Sequence, residues 1–332
     1  MNTVLTESQL QTELARLGTL RSAIAQAIVG QDEVVEQLLI ALLAGGHCLL
    51  EGVPGLGKTL LVRSLGQALD LPFRRVQFTP DLMPSDILGT EILEEDHGTG
   101  HRVFKFQPGP VFTSLLLADE LNRTPPKTQA ALLEAMQEHT VSYAGVTHAL
   151  PAPFFVLATQ NPIEQAGTYP LPEAQLDRFL LHVRVEYPSE AEERDILSQT
   201  TGTHVATVPR VMDGDAILAL QSRVREVHLG DDLLDWITRL VRASRPQAGA
   251  SEEVRQWLRW GAGPRAGQSL VLASKARALL HGRLSATRDD VTALAAPVLR
   301  HRLLLSFAAE AERKSTDDIV AMLLRNVPFA ST

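Results

Sequence analysis

The sequence is poor in cysteine and in aromatic residues, and each shortage limits the kind of protein that the chain can form. Cys48 is the only cysteine among 332 residues, so no disulfide can form within the chain. It precedes a glycine-rich segment within an apolar run, where a small buried core residue is expected rather than a reactive thiol. Aromatic residues make up 5% of the chain. Together with the high aliphatic content, this scarcity suits a helix-rich α/β protein.

Long apolar runs and an excess of basic charge are also missing. No apolar run approaches the length of a membrane span, and no basic segment followed by an apolar run opens the sequence. We therefore expect a cytoplasmic protein without a membrane span. The 31 basic and 39 acidic residues leave a net charge of −8. That balance argues against general coating of nucleic acid, although a local basic loop could still contact DNA.

One glycine-rich segment, between an apolar run at 48–50 and a helix-like run at 60–69, has the pattern of a phosphate-binding loop. The residues expected to contact the nucleotide here are Gly52, Val53, Pro54, Gly55, Leu56, Gly57, Lys58, Thr59 and Leu60. The glycines let backbone N–H groups point at an anion, and the helix that follows adds the positive end of its dipole. Lys58 is the expected counter-charge to the β- and γ-phosphates of ATP, and Thr59 is an expected ligand of Mg²⁺. The alternative, a chance glycine-rich turn, is disfavoured by the full G-x-x-x-x-G-K-T pattern in this context.

Two carboxylates follow a second apolar run. Residues 114–118 are typical of a buried parallel strand, which ends in Asp119 and Glu120. Ligands of open α/β sheets lie at the carboxyl ends of the strands. Asp119 is predicted to hold Mg²⁺ through its water shell, and Glu120 to take the proton from an attacking water. A P-loop kinase could share the glycine-rich segment, but it would not need a base directed at water.

Two further segments are candidates for contact with the nucleotide. Val29, Gly30 and Gln31 form a turn before a helix, where Val29 could cover the adenine and backbone groups could contact the base edge. Asn161 follows another apolar strand, 154–159, and could orient the attacking water or the γ-phosphate. The alternative for Asn161 is a turn-forming residue before proline.

Two arginines occupy junctions between elements. Arg178 joins a short helix at 171–178 to a strand at 179–185, where it could be buried with Asp177 or project from the subunit edge. Arg265 follows the break at 261–264 and enters a helix.

The order of elements predicts two domains. Strand patterns stop near Pro188, so we expect an α/β nucleotide-binding domain at 1–187 and a linker with a small all-α lid domain over the nucleotide at 188–332. The first domain is expected to contain a five-stranded parallel sheet flanked by helices. Two hairpins are predicted within it, one inside an irregular insert near 80–107 and one near 139–150 that turns at Ala144 and Gly145.

These motifs together resemble the MoxR-type AAA+ ATPases over nearly the whole chain. The most specific stretch is 115–138, and 81–89, 171–179 and 261–266 are similar to other signatures of that family. The resemblance implies that Gly52–Thr59 is Walker A and that Asp119 and Glu120 form Walker B. It further implies that Asn161 is sensor 1, that Arg178 is the arginine finger, and that Arg265 is sensor 2, acting in its own subunit or in a neighbour. The turn at 29–31 gains support as an adenine contact.

The resemblance also implies a biological role. Members of this family are ring-forming chaperones that hydrolyse ATP with Mg²⁺, so a homo-oligomeric ring, here a hexamer, is expected. The insert and the second hairpin would face the central pore of such a ring. The implied partners are proteins with von Willebrand factor A domains and client complexes that are remodelled, matured or supplied with metal. A magnesium-chelatase-like motor subunit and a non-catalytic nucleotide switch are the competing interpretations.

Overall fold

The computed structural model describes residues 7–53, 55–95, 102–161, 167–201 and 208–329. Its strands are β1 (Cys48–Glu51), β2 (Phe73–Gln77), β3 (Gly89–Glu95), β4 (Arg102–Pro108), β5 (Leu115–Asp119), β6 (Thr140–Tyr143), β7 (Val146–Ala149), β8 (Phe155–Gln160), β9 (Leu181–Arg184), β10 (Leu258–Trp260) and β11 (Leu304–Leu305). Its helices are α1 (Glu7–Ala27), α2 (Asp32–Leu43), α3 (Lys58–Ala68), α4 (Pro84–Leu88), α5 (Pro126–Glu138), α6 (Glu173–Leu176), α7 (Glu190–Thr200), α8 (Gly214–Glu226), α9 (Asp231–Ala243), α10 (Glu252–Trp257), α11 (Pro264–Leu280), α12 (Arg288–Leu299), α13 (Phe307–Ala311) and α14 (Thr316–Asn326). Across these described ranges, no helix combines the length and the apolar character that crossing a membrane requires.

The predicted five-stranded parallel sheet is confirmed. Its strands lie in the order β2-β5-β8-β1-β9, and each neighbouring pair is parallel. Strands β1, β5 and β8 are apolar runs, buried at every position but the last. Such runs are typical of parallel strands covered by helices on both faces. Because all five strands run in one direction, their carboxyl ends share one edge of the sheet and their amino ends share the opposite edge.

Two apolar cores cover the faces of the sheet. On one face, Leu132 and Met136 of α5 pack with Leu116 of β5. On the other face, the core that includes α1, α2 and α3 continues into α8, α9, α11 and α12. The helical region is therefore packed against α1, α2 and β9 and shares a core with the first domain.

Both predicted hairpins are present. Ala144 and Gly145 have φ values of 48° and 81°, and two consecutive positive values are typical of the tight turn that joins hairpin strands. Strands β3 and β4 pair over their full length, whereas the tip between them, 96–101, lies outside the described residues.

The two hairpins pack against each other. The ring of Phe106 on β4 stacks on His148 of β7 at 4.2 Å between centroids and lies 5.6 Å from the ring of Tyr143 on β6. These contacts hold the two hairpins together. The helical region contains an element that the sequence did not predict, a short antiparallel ribbon formed by β10 and β11.

Candidate functional site

The glycine-rich segment connects β1 to α3 in a conformation that requires glycine. Gly55 and Gly57 have φ values of 89° and 71°, a region that residues with a side chain rarely adopt. Gly52 is required for another reason, because a Cβ there would lie 2.6 Å from the carbonyl oxygen of Val185. Pro54, which the sequence also assigns to this loop, lies outside the described residues. The loop thus leads into the N-terminus of α3, where free backbone N–H groups favour an anion.

Lys58 begins α3 and is surrounded by acidic groups. Its ammonium group donates a hydrogen bond to the carbonyl oxygen of Gly52. Burial lowers the pKa of Lys58, while the negative charges of Asp119, Glu120 and Glu51 oppose that change. A positive charge close to the loop is therefore balanced by carboxylates on neighbouring segments.

Asp119 lies at the carboxyl end of β5 and has two partners. Its Oδ1 accepts a hydrogen bond from the hydroxyl of Thr159 at 2.7 Å, and its Oδ2 accepts from Arg75 Nη2 at 2.7 Å. Asp119 and Thr59 line the same pocket. Hydroxyl and carboxylate oxygens are the ligands that Mg²⁺ prefers, so the donor set fits that ion.

Glu120 adopts the left-handed conformation, with φ 57° and ψ 47°. Its N–H donates to Thr159 Oγ1 at 2.8 Å, so one hydroxyl links both carboxylate residues to β8. Its Oε2 accepts from Gln77 Nε2 at 2.6 Å and lies 3.1 Å from Arg123 Nε. A left-handed glutamate is uncommon, and such conformations concentrate at functional sites.

The sequence did not identify four polar residues of this pocket, namely Arg75, Gln77, Thr159 and Gln160. Arg75 and Gln77 alternate along β2, and Gln77 pairs in register with Asp119 of β5. Residues two apart on a strand share a face, so the sequence alone could have placed Arg75 and Gln77 on the same face of β2. This pattern points to the pocket only when β2 is known to lie beside β5.

The other nucleotide candidates surround this pocket in different ways. Asn161 is buried and lines the pocket directly. Gln31 donates from Nε2 to the carbonyl oxygen of Leu56 at 2.9 Å, which holds the turn that contains Val29 and Gly30 against the loop. Val29, Gly30 and Gln31 are not part of the pocket lining itself.

Val53 and Leu60 also lie outside the pocket lining, although both belong to the predicted nucleotide segment. Val53 lines a neighbouring groove with Tyr187, and the side chain of Leu60 is exposed on α3.

Arg178 and Arg265 lie elsewhere, at the opposite edge of the sheet. The backbone N–H of Leu180 donates to the carbonyl oxygen of His47, and Leu181 pairs with Cys48, the first residue of β1. The glycine-rich loop follows the last residue of β1, and a four-residue strand spans roughly 13 Å. Arg178 and Arg265 line one recess together with Asp177, whose Oδ2 lies 3.8 Å from Arg265 Nη1.

The candidate residues are therefore divided between two places. Lys58, Thr59, Asp119, Glu120 and Asn161 line one pocket, at the carboxyl edge of the sheet. Within the described part of the chain the residues that line this pocket all come from 52–161, and none belongs to the helical region that is expected to lie over the nucleotide. The helices instead bury their apolar faces against α1, α2 and β9.

Comparison with known proteins gives matches along most of the chain. The family described as "ATPase family associated with various cellular activities (AAA)" matches residues 47–181, and the AAA lid domain matches residues 251–323. The chain is 44% identical to the chaperone MoxR1 of Mycobacterium tuberculosis, over 94% of this chain and 83% of that protein. It is 32% identical to the protein MoxR of Paracoccus denitrificans, over 93% of this chain and 94% of that protein. A crystal structure of a protein from Cytophaga hutchinsonii superposes with a TM-score of 0.90, at 38% identity and with 98% of both chains covered.

Proposed function

Because the chain belongs to the MoxR family of AAA ATPases, we propose that it binds ATP with Mg²⁺ and hydrolyses it at sites shared between neighbouring subunits of a ring. The observation that carries this proposal is the separation of the candidate residues. Lysine, threonine, two carboxylates and asparagine converge in one pocket, while two arginines lie together at the opposite edge of the same sheet. One subunit alone does not bring the two groups together.

The loop and the start of α3 would bind the phosphates. Backbone N–H groups held by Gly55 and Gly57 would face the phosphate oxygens, and Lys58 would exchange its bond to Gly52 for the β- and γ-phosphates. Thr59 and Asp119 would hold Mg²⁺. Bound MgATP would supply the electrophilic phosphorus and the divalent charge that neutralises the phosphate oxygens.

Glu120 would act as the general base. Its carboxylate is oriented by Gln77 and Arg123, and its backbone is fixed by Thr159. A carboxylate held in this way can accept the proton of a water that attacks the γ-phosphate. Asn161 lines the same pocket and would orient that water or the γ-phosphate.

The arginines would complete the site of the next subunit. A head-to-tail contact would place the amino edge of one sheet near the carboxyl edge of the next, and repeated heterologous contacts close a ring when the rotation permits. Arg178 would then stabilise the charge that develops on the neighbour's γ-phosphate, and Arg265, whose side chain is 48% exposed, would act beside it. By similarity to the family, we propose six subunits in the ring.

The base of ATP would lie on the other side of the loop. The turn at 29–31 contacts Leu56 through Gln31, and Gly30 lies close to Glu192 at the start of α7. Val29 would cover the adenine there, and Val53 and Leu60 would flank the nucleotide.

We propose a chaperone role, as in the mycobacterial relative that is named a chaperone. The work would consist of remodelling or maturing partner complexes, including metal insertion, with von Willebrand factor A domain proteins as partners. The paired hairpins offer a contact surface for such partners, since Phe104 is 73% exposed and Leu93 is 53% exposed. Leu93 and Phe104 pair in register, and large apolar side chains exposed side by side are typical of protein contact sites.

Shared sites make hydrolysis depend on assembly, which gives a direct test. The phosphate release per subunit should rise steeply with protein concentration over the range in which rings form. The affinity for a fluorescent ATP analogue should depend less on protein concentration than phosphate release does, because the phosphate-binding loop belongs to one subunit. The measurement combines a phosphate-release assay with sedimentation velocity on the same samples. A constant rate per subunit from monomer to ring would contradict the proposal.

A further inference from the structure

The lid carries a buried arginine that holds both residues next to Arg178. Arg302 follows α12, and its side chain is only 2% exposed. Its guanidinium donates to the carbonyl oxygen of Asp177 at 3.3 Å and to that of Phe179 at 2.6 Å. It also donates to the carbonyl oxygen of Leu180 at 3.3 Å. The backbone on each side of Arg178 is thus bound by one side chain, 125 residues away in the sequence from Asp177.

The charge of Arg302 is balanced at the same place. Its Nε donates to Asp177 Oδ1 at 2.7 Å, and the other oxygen of that carboxylate lies 3.8 Å from Arg265 Nη1. The guanidinium also contacts the carbonyl oxygen of Val298 and the hydroxyl of Ser269. Asp177 therefore connects Arg302 to Arg265 and lies directly beside Arg178 in the chain.

The two residues before Arg302 bind the same part of the first domain. Nε2 of His301 lies 3.0 Å from the carbonyl oxygen of Phe179. Burial lowers the pKa of His301 well below its usual range, so the neutral ring can donate this hydrogen bond. Arg300 donates to the carbonyl oxygen of His182 at 3.0 Å. We call Arg300, His301 and Arg302 the lid clamp.

Stability alone does not account for the lid clamp. Desolvating a guanidinium is costly, and a well-packed apolar side chain in place of a buried ion pair is often as stable or more so. A planar guanidinium can hold several hydrogen-bond acceptors in fixed positions, because its five donors lie in one plane. An apolar residue cannot do this. Those acceptors are the backbone atoms that define where Arg178 projects.

We propose that Arg302 is a positioning residue for Arg178, so that the lid of one subunit sets the geometry of the arginine offered to the ATP of the next. This inference rests on the proposed shared site. Among the residues that the structure describes, Arg302 bonds to none of the phosphate-binding loop and does not line the pocket beside it. A defect at Arg302 should therefore appear in the neighbour's active site and spare the subunit's own.

Arg302→Lys is the principal test, because lysine keeps the charge and loses the planar array of donors. We expect a fall in kcat of about 10²-fold, the size of effect that a displacement of about 1 Å at a reacting group can cause. ATP affinity, measured by equilibrium binding, and ring assembly should match the parent protein. Arg283→Lys is the matched control, since Arg283 pairs with the buried Asp290 inside the same lid at 2.7 Å and should keep the parent kcat.

Mixed rings separate positioning from a general structural role. Arg302→Lys subunits keep an intact phosphate-binding loop, and Lys58→Ala subunits keep an intact Arg178 and lid. Co-assembly should restore phosphate release well above either variant alone, because the lysine variant's loop then meets an unperturbed arginine. If Arg302→Lys does not fold, Arg302→Gln takes its place, since glutamine keeps two amide donors and loses the planar array of five donors that binds the carbonyl groups beside Arg178.

The outcomes distinguish this inference from the proposed function. An Arg302→Lys protein with parent kcat, while Arg178→Ala is inactive, would overturn the positioning role and leave the shared site standing. A slow Arg302→Lys protein that Lys58→Ala subunits fail to rescue, while they do rescue Arg178→Ala, would also overturn it. If Arg178→Ala itself keeps the parent rate, the shared site and this inference fail together.

Discussion

Replacing Glu120 with glutamine should stop phosphate release and leave ATP bound. The amide has nearly the shape of the carboxylate but cannot accept the proton of the attacking water. General acid–base catalysis typically contributes 10²–10⁴-fold, so we expect a loss of about that size in kcat. Lys58, proposed to bind the phosphates, and Thr59, proposed to hold Mg²⁺, are unchanged. A phosphate-release assay and equilibrium binding of ATP, both with Mg²⁺, measure the two effects.

Glu134→Gln provides the matched control for this prediction. Glu134 is an exposed carboxylate on α5 and does not line the pocket, so its removal should leave the rate unchanged. Hydrolysis by Glu120→Gln at the parent rate would assign the base to another group.

Replacing Arg178 with alanine should have a still larger effect on turnover. An arginine that stabilises the transition state of phosphoryl transfer is worth roughly 10³–10⁵ in rate. Because Arg178 lies at the amino edge of the sheet, its loss leaves the subunit's own pocket intact, and the binding of ATP should hardly change. The rate constant at saturating ATP and the dissociation constant of ATP measure this separation.

Arg242→Ala is the control for the loss of a positive charge. Arg242 is exposed on α9 and lines neither the pocket of Lys58 nor the recess of Arg178. It should hydrolyse ATP at the parent rate. A normal rate for Arg178→Ala would remove the arginine-finger role from this residue.

Local patterns predicted the parts of the site that lie on consecutive residues. The loop Gly52–Thr59 and the pair Asp119 and Glu120 each follow an apolar strand, and parallel strands bring their carboxyl ends to one edge. The turn at Ala144 and Gly145 was also predictable from the sequence, because glycine favours the left-handed conformation of such turns. In each case a few neighbouring residues determine the geometry.

The rest of the site depends on pairs far apart in the chain. Gln77 reaches Glu120 only because β2 lies beside β5, and Thr159 reaches Asp119 only because β8 lies on the other side. Arg302 binds Asp177 across 125 residues. No periodicity in the sequence encodes such contacts, since strand order and domain packing arise from the whole fold.

The position of Arg265 shows the same limit. The sequence placed it at the entry of a helix, which left open whether it serves its own subunit or a neighbour. The fold puts it beside Asp177 and Arg178 in one recess, at the edge opposite the phosphate-binding loop. The direction of the sheet strands places Arg265 far from its own subunit's loop, and this favours a role for Arg265 in the neighbouring subunit. Only the assembled fold reveals that direction.

Co-assembly of two inactive proteins tests the shared site most directly. Lys58→Ala lacks the charge that is proposed to bind the phosphates but keeps Arg178, and Arg178→Ala keeps the loop. With equal random mixing, about a quarter of the head-to-tail interfaces would combine an intact loop with an intact arginine. The measurement is phosphate release from rings shown by native mass spectrometry to contain both subunits. A site shared between neighbours predicts recovery well above either variant alone, whereas a rate no higher than that of the separate variants would contradict it.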